Sequence, residues 1–226
     1  PRAPRLSKKE GLNRFVWNMQ RPIVPGVPGV YIEANFRGHK VIPGTYNVTL
    51  KYDGKSYKTK AVIKQNTNYS ISKAQFLEYD TIMNQMEATV TDMHEKVNLL
   101  SKISKDIKAS IKLLKKTNKN SNLIKEGESL LNQIKNWDEL MVQRRSQAYD
   151  DVENFENKFT AEYLFLMNQT SSSLPKVTQA SIDRKKELDA QWIPLKAKVD
   201  ELINTKIPAY NKNLWNVGVG AIQLKM

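Results

Sequence analysis

From Ser72 to Lys116 the chain repeats apolar residues at alternating steps of three and four. Phe76, Tyr79, Met83, Met86, Val90, Met93, Val97, Leu100, Ile103, Ile107, Ile111 and Leu114 carry the repeat. Such spacing holds one apolar stripe along a single helix face. Neither Gly nor Pro interrupts it, so the spacing predicts one helix of about 45 residues, on the order of 65 Å long. Ser70 or Ser72 can cap its start. Lys115 and Lys116 suit the negative end of its dipole, and the Asn/Ser run through Asn122 reads as the following loop.

A stripe of that length must be covered, and the later sequence supplies the cover. Leu130, Ile134, Trp137 and Met141 predict a second helix from Leu123 to about Gln147, with a break near Tyr149, Asp150 and Asp151. Phe155, Phe159, Tyr163 and Leu166 restart a helix that the stretch Ser171 to Pro175 ends. Leu188, Trp192, Leu195, Val199 and Leu202 mark the last one, which Pro194 is expected to kink or split. Pro208 bends the chain again, and the apolar tail from Gly218 is expected to pack back.

The first 70 residues read differently. Residues 11–19 alternate as a strand, with Phe15, Trp17 and Met19 on one face. A Pro/Gly loop from Pro22 to Pro28 follows, which suits no central strand. Tyr46, Val48, Leu50 and Tyr52 then alternate before Asp53-Gly54, a two-residue hairpin signal, and Tyr57, Thr59, Ala61 and Ile63 alternate on the return. The expected fold class is α+β: a small antiparallel immunoglobulin- or fibronectin-like β-sandwich, then an antiparallel bundle of three long, partly broken helices. The expected division is 1–10 linker, 11–68 sandwich, 69–217 bundle and 218–226 tail.

Charge separates the two parts. The chain carries +13 overall; residues 1–70 hold 13 Lys/Arg against 3 Asp/Glu, and the remainder 23 against 20. A basic surface of Arg14, Arg21, Arg37, Lys40, Lys51, Lys55, Lys58 and Lys60 could meet an acidic polymer, or could simply keep sheet edges soluble. No cysteine is present, which excludes disulfides and thiolate chemistry. No apolar run is long enough to span a membrane. Pro1 opens the chain with neither a start methionine nor a leader-like stretch, so the sequence reads as part of something longer.

Reactive constellations are not evident. His39 and His94 are the two histidines, and neither has ligand-type residues at metal-binding spacing. Asp150, Asp151, Glu153 and Glu156 cluster, but at one helix junction, where acids serve as caps and dipole partners. Met83, Met86 and Met93 at helical spacing read as core, and Lys102, Lys105, Lys108, Lys112 and Lys115 as a solvated face. No catalytic, metal or cofactor residue is therefore assigned, and no cofactor is expected.

Three stretches carry a resemblance: Gly11 to Met19, Pro43 to Leu50, and Asp53-Gly54-Lys55. With the helical run Asp151 to Tyr163 and the closing segment containing Leu188 and Trp192, they resemble the C-terminal region of Bacteroidetes sortilin-like, BNR-repeat β-propeller proteins, often labelled glycosyl hydrolases. The first two stretches are also similar to flagellar hook-capping Ig-like modules. The resemblance implies a propeller preceding Pro1, a periplasmic or secreted bacterial setting, and a non-catalytic accessory or interaction role. The implied partners are that propeller or another protein, and possible sites of a hydrolase would lie mainly in the propeller.

Overall fold

The computed structural model describes residues 6–116, 120–172, 175–220 and 222. Residues 1–5 of the expected linker, 117–119 of the loop, Ser173 and Leu174 of the helix stop, and 221 and 223–226 of the tail lie outside them. The elements are β1 (Gly44–Tyr52), β2 (Lys55–Ile63), α1 (Lys73–Lys116), α2 (Ser121–Met141), the single turn α3 (Asp151–Asn154), α4 (Phe159–Ser172), α5 (Gln179–Glu201) and α6 (Ile207–Asn216).

Helix α1 begins at a reciprocal cap. The Gln75 N–H donates to Ser72 Oγ at 3.2 Å, and the Ser72 N–H donates to Gln75 Oε1 at 2.9 Å. Two donors that the helix itself cannot satisfy are thereby paired. All twelve stripe residues from Phe76 to Leu114 are buried, each apolar side chain contributing about 1.5–3 kcal/mol of burial.

Three columns of helix form the bundle. α2 returns along α1, with Lys115 paired to Glu128 at 2.8 Å near the turn. α4 continues that column along the first half of α1, tied to α2 where Thr160 Oγ1 donates to the Met141 carbonyl at 2.7 Å. α5 and α6 make the third column, running in the direction of α1: Asp92 meets Lys196 at 3.1 Å and Lys96 meets Asp200 at 3.1 Å. Gly127 on α2 is a close approach between columns, because a Cβ there would lie 2.5 Å from the Tyr210 hydroxyl and 3.0 Å from Ile111.

Three helix readings differ from the periodicity, the first at Phe155, which is extended, so that the helix expected from it starts at Phe159. α2 ends at Met141, six residues before Gln147, because Val142 is extended and Arg144 folds back on Asp138 with bonds of 2.6 and 2.8 Å. Pro194 does not break its helix, and α5 runs through it to Glu201. The irregular turn is a π segment, Leu202–Lys206, placed just before Pro208 removes a backbone donor. After α6, Val219 and Ile222 are buried, and Asn211 bonds both the N–H and carbonyl of Ile222.

The immunoglobulin-like sandwich is not formed. Among the described residues the sheet has two strands, β1 and β2. The segment expected as a further strand, 11–19, is exposed, with Leu12 99% accessible, and positive φ at Met19 turns the chain away. Its continuation pairs at a single bridge, Gln20 with Lys40, flanked by backbone bonds Val41 to Met19 and Arg21 to His39. The Pro/Gly stretch is not an inter-strand loop either. Residues 20–43 form a strap across α1, with Val24 and Val27 in the bundle core and Val30, Ile32, Phe36 and Ile42 packed on it. Proline-rich backbone lacks donors for a sheet, so its carbonyls are satisfied from the helix instead.

Candidate interaction surface

The strap is held by polar groups on α1. Nδ1 of His94 donates to the Pro25 carbonyl at 2.6 Å, and Nδ2 of Asn98 donates to the Gly26 carbonyl at 2.9 Å. His94 is fully buried; burial holds its pKa below the usual histidine range, opposed by the bond to Pro25. A carbonyl partner fixes the proton on Nδ1, and His94 thus acts as a fastener of backbone, with no metal-ligand set around it among the described residues.

A second anchor gathers charge. The His39 ring, whose side chain is wholly inaccessible, lies between Glu87 (Nδ1 to Oε1, 2.7 Å) and Asp80 (Nε2 to Oδ1, 3.0 Å). Arg21 reaches Asp80 at 3.0 Å, Asn84 donates to its other oxygen at 2.9 Å, and the His39 N–H donates to Glu87 at 2.6 Å. Burial disfavours the protonated ring, yet the bonds to both carboxylates outweigh it and raise the His39 pKa. Burial acts in the opposite direction on Asp80, pushing its pKa up, but the bonds to His39 and Arg21 pull it down further, below the ordinary range. With both ring nitrogens bonded and its side chain inaccessible, His39 anchors residues 19–24 and 36–41 on α1 together with Arg21.

From that strap the hairpin emerges. Asp53 (φ 48) and Gly54 (φ 70) take the positive φ values of a type I′ turn, and β1 and β2 pair antiparallel from Gly44↔Ile63 to Tyr52↔Lys55. Residues directly opposite share a face. One face therefore carries Tyr46, Val48, Leu50, Tyr52, Tyr57, Thr59, Ala61 and Ile63, and the other Thr45, Asn47, Thr49, Lys51, Ser56, Lys58, Lys60 and Val62. The hydrophobic face is not covered. Val48 is 43% exposed, Leu50 48%, Tyr57 55% and Tyr52 69%. At its root the Trp17 ring meets Tyr46 edge-on at 5.9 Å, and the Tyr46 hydroxyl donates to the Ile42 carbonyl at 2.6 Å. These exposed apolar residues make the face a candidate interaction surface.

The eight basic residues read from the sequence fall in separate places. Lys51, Lys58 and Lys60 share the polar face of the hairpin, and Lys55 lies beside the turn on the other face. Arg37 and Lys40 line a cleft of about 460 Å³ between strap and α4, together with Gln20, Phe165 and Asn168. Arg14 sits on the exposed leading segment. Arg21 belongs to the Asp80 anchor. Of the acidic cluster, Asp150 is exposed, and Asp151 accepts from the N–H groups of Gln147 and Ala148 at 2.7 and 3.0 Å, shaping the turn into α3. No helix is long and apolar enough to cross a membrane among the described residues.

Sequence reasoning missed the strap and both of its anchors. The signal was available: Asp80, Glu87, His94 and Asn98 interrupt the flanks of an otherwise apolar face at helical spacing. Polar residues there point to backbone, not another helix, as the cover. No protein-family model, no curated protein and no solved structure matches the chain.

Proposed function

We propose that this chain is a non-catalytic interaction region of a larger secreted or periplasmic β-propeller protein, supporting the propeller or docking it to a partner protein. The observation that supports this reading is the hairpin: a regular two-stranded ribbon, anchored at its base on a well-packed bundle, with its apolar face open to solvent. A two-stranded ribbon is marginal alone in water, and a surface held out in this way gains most from being covered by another protein. The propeller setting comes from the sequence resemblance alone.

The reading is tested by two measurements on the same protein. Replacing Gly44–Ile63 by a short flexible link should abolish association with the propeller or partner while leaving the thermal midpoint of the bundle in place. Assays on glycans, sialosides and peptides should give no turnover. Turnover that a single substitution abolishes would overturn the reading in favour of a hydrolase.

A further inference from the structure

We infer that the open edge of β2 is a strand-addition site for an extended, alternately apolar and acidic segment of a partner protein; this deepens the docking reading and rests on it. The residues flanking a two-residue type I′ loop exchange both backbone bonds, and bonded and non-bonded pairs alternate from there. Tyr52↔Lys55, Leu50↔Tyr57, Val48↔Thr59 and Tyr46↔Ala61 are therefore the bonded pairs of the register. The N–H and carbonyl groups of Ser56, Lys58, Lys60 and Val62 point outward, away from β1. No further strand pairs with β2 among the described residues, and these groups form no other backbone bond there.

The side chains beside this edge define what it accepts. A strand laid along β2 places alternate residues on the two faces. Those on one face meet Tyr57, Thr59 and Ala61; those on the other meet Lys58 and Lys60. Apolar residues match the first set and carboxylates the second. The hairpin cannot neutralise its own lysines: between Glu33 and Glu78 the one acidic side chain is Asp53, in the turn. Among the described residues, Lys58 and Lys60 take part in no ion pair. Charge also disfavours a second copy of this chain as the occupant. Pairing β2 antiparallel with itself about Thr59 sets Lys58 opposite Lys60 twice, and like charges directly opposite are unfavourable. Main-chain bonding supplies the affinity in such additions and the alternate side chains the selectivity.

The test uses the full chain and a nine-residue peptide alternating Val and Glu, with a Val/Lys peptide as control, followed by amide hydrogen exchange. The Val/Glu peptide should slow exchange at Ser56, Lys58, Lys60 and Val62 by about tenfold or more and leave the already bonded Tyr57 and Thr59 amides little changed. The double substitution Lys58→Glu, Lys60→Glu should weaken Val/Glu binding by about tenfold, two charge pairs being reversed, and should favour the Val/Lys peptide instead. Equal binding of both peptides, an unaffected double variant, or protection confined to the bundle overturns the proposal. So does a dimer formed through β2 without peptide, or a heparin fragment that binds the lysines without protecting the four amides. Absence of peptide binding with no turnover leaves the docking reading standing and removes this proposal; turnover removes the docking reading itself.

Discussion

Along α1 every apolar residue of the stripe from Phe76 to Leu114 is buried, whereas on the hairpin Val48, Leu50, Tyr57 and Tyr52 of an equally regular stripe remain 43% to 69% exposed. The two stripes differ in what the chain provides opposite them. α1 meets α2, α4, the strap and the charge pairs of α5, while the hairpin meets little beyond Trp17 and its own two strands. Periodicity says which face of an element is apolar; it does not say whether the cover lies in the same polypeptide. The bundle is therefore expected to hold the stability of the molecule, and the hairpin to hold its contacts.

The sharpest way to break that contrast is a pair of truncations. Met93→Ala, at a fully buried position, should cost about 2–5 kcal/mol and lower the thermal midpoint by roughly 5–15 °C. Leu50→Ser on the hairpin should stay within about 0.5 kcal/mol of the parent. Calorimetry on both decides it, and an equal loss for Leu50→Ser would mean that the hairpin face is covered in solution.

Gly127→Ala sharpens the same contrast inside the bundle. Alanine gains up to about 1 kcal/mol over glycine by helix propensity, but its methyl meets Tyr210 and Ile111. Overpacking should dominate, with a net loss of about 1–2 kcal/mol in chemical denaturation. A more stable variant would show that α6 can yield.

Gly54→Val should act on the hairpin alone. A β-branched residue at φ 70 costs roughly 1–2 kcal/mol. Exchange at the bonded amides of β1 and β2 should quicken while α1 amides keep their protection, and a parallel loss in α1 would join the two regions into one cooperative unit.

The smallest effect concerns pH at the strap. His39 binds its proton more tightly in the folded chain, so its contribution is complete below about pH 6.5 and fades as pH rises through the raised folded value. The advantage of the parent over His39→Gln, read from exchange at the Arg21 and Val41 amides, should be largest near about pH 6 and shrink toward about pH 9. A gap that widened with rising pH would place the anchor elsewhere. His94, lowered by burial, works in the opposite sense and destabilises as pH falls below about 6.5.

What was legible in the sequence follows the same physical line. The α1 stripe, Ser72 as a cap and the Asp53-Gly54 turn depend on neighbours within a few residues, and the chain displays them openly. The sandwich depended on distant pairing. Phe15, Trp17 and Met19 alternate as a strand does, but alternation selects a face and recruits no partner, and the left-handed backbone at Met19 ends the extended run. The strap's proline-rich backbone has no periodicity of its own, and its trace lay instead in Asp80, Glu87, His94 and Asn98 on α1. Of the candidate surface, the lysine face of the hairpin was readable from alternation and register; the removal of Arg21 to an ion pair with Asp80 needed the fold.

The strap has a mechanical consequence. β1 leaves directly from it, and β2 returns through a short connection to the capped start of α1, so both roots of the hairpin sit at one end of the longest helix. Tension on the ribbon reaches the bundle through the Asp80–Glu87 stretch, where Arg21, the His39 ring and the His39 amide grip neighbouring turns of that helix. Further along the strap, His94 and Asn98 of the same helix hold the carbonyls of Pro25 and Gly26. The hairpin is thus tied to one helix through both of its ends.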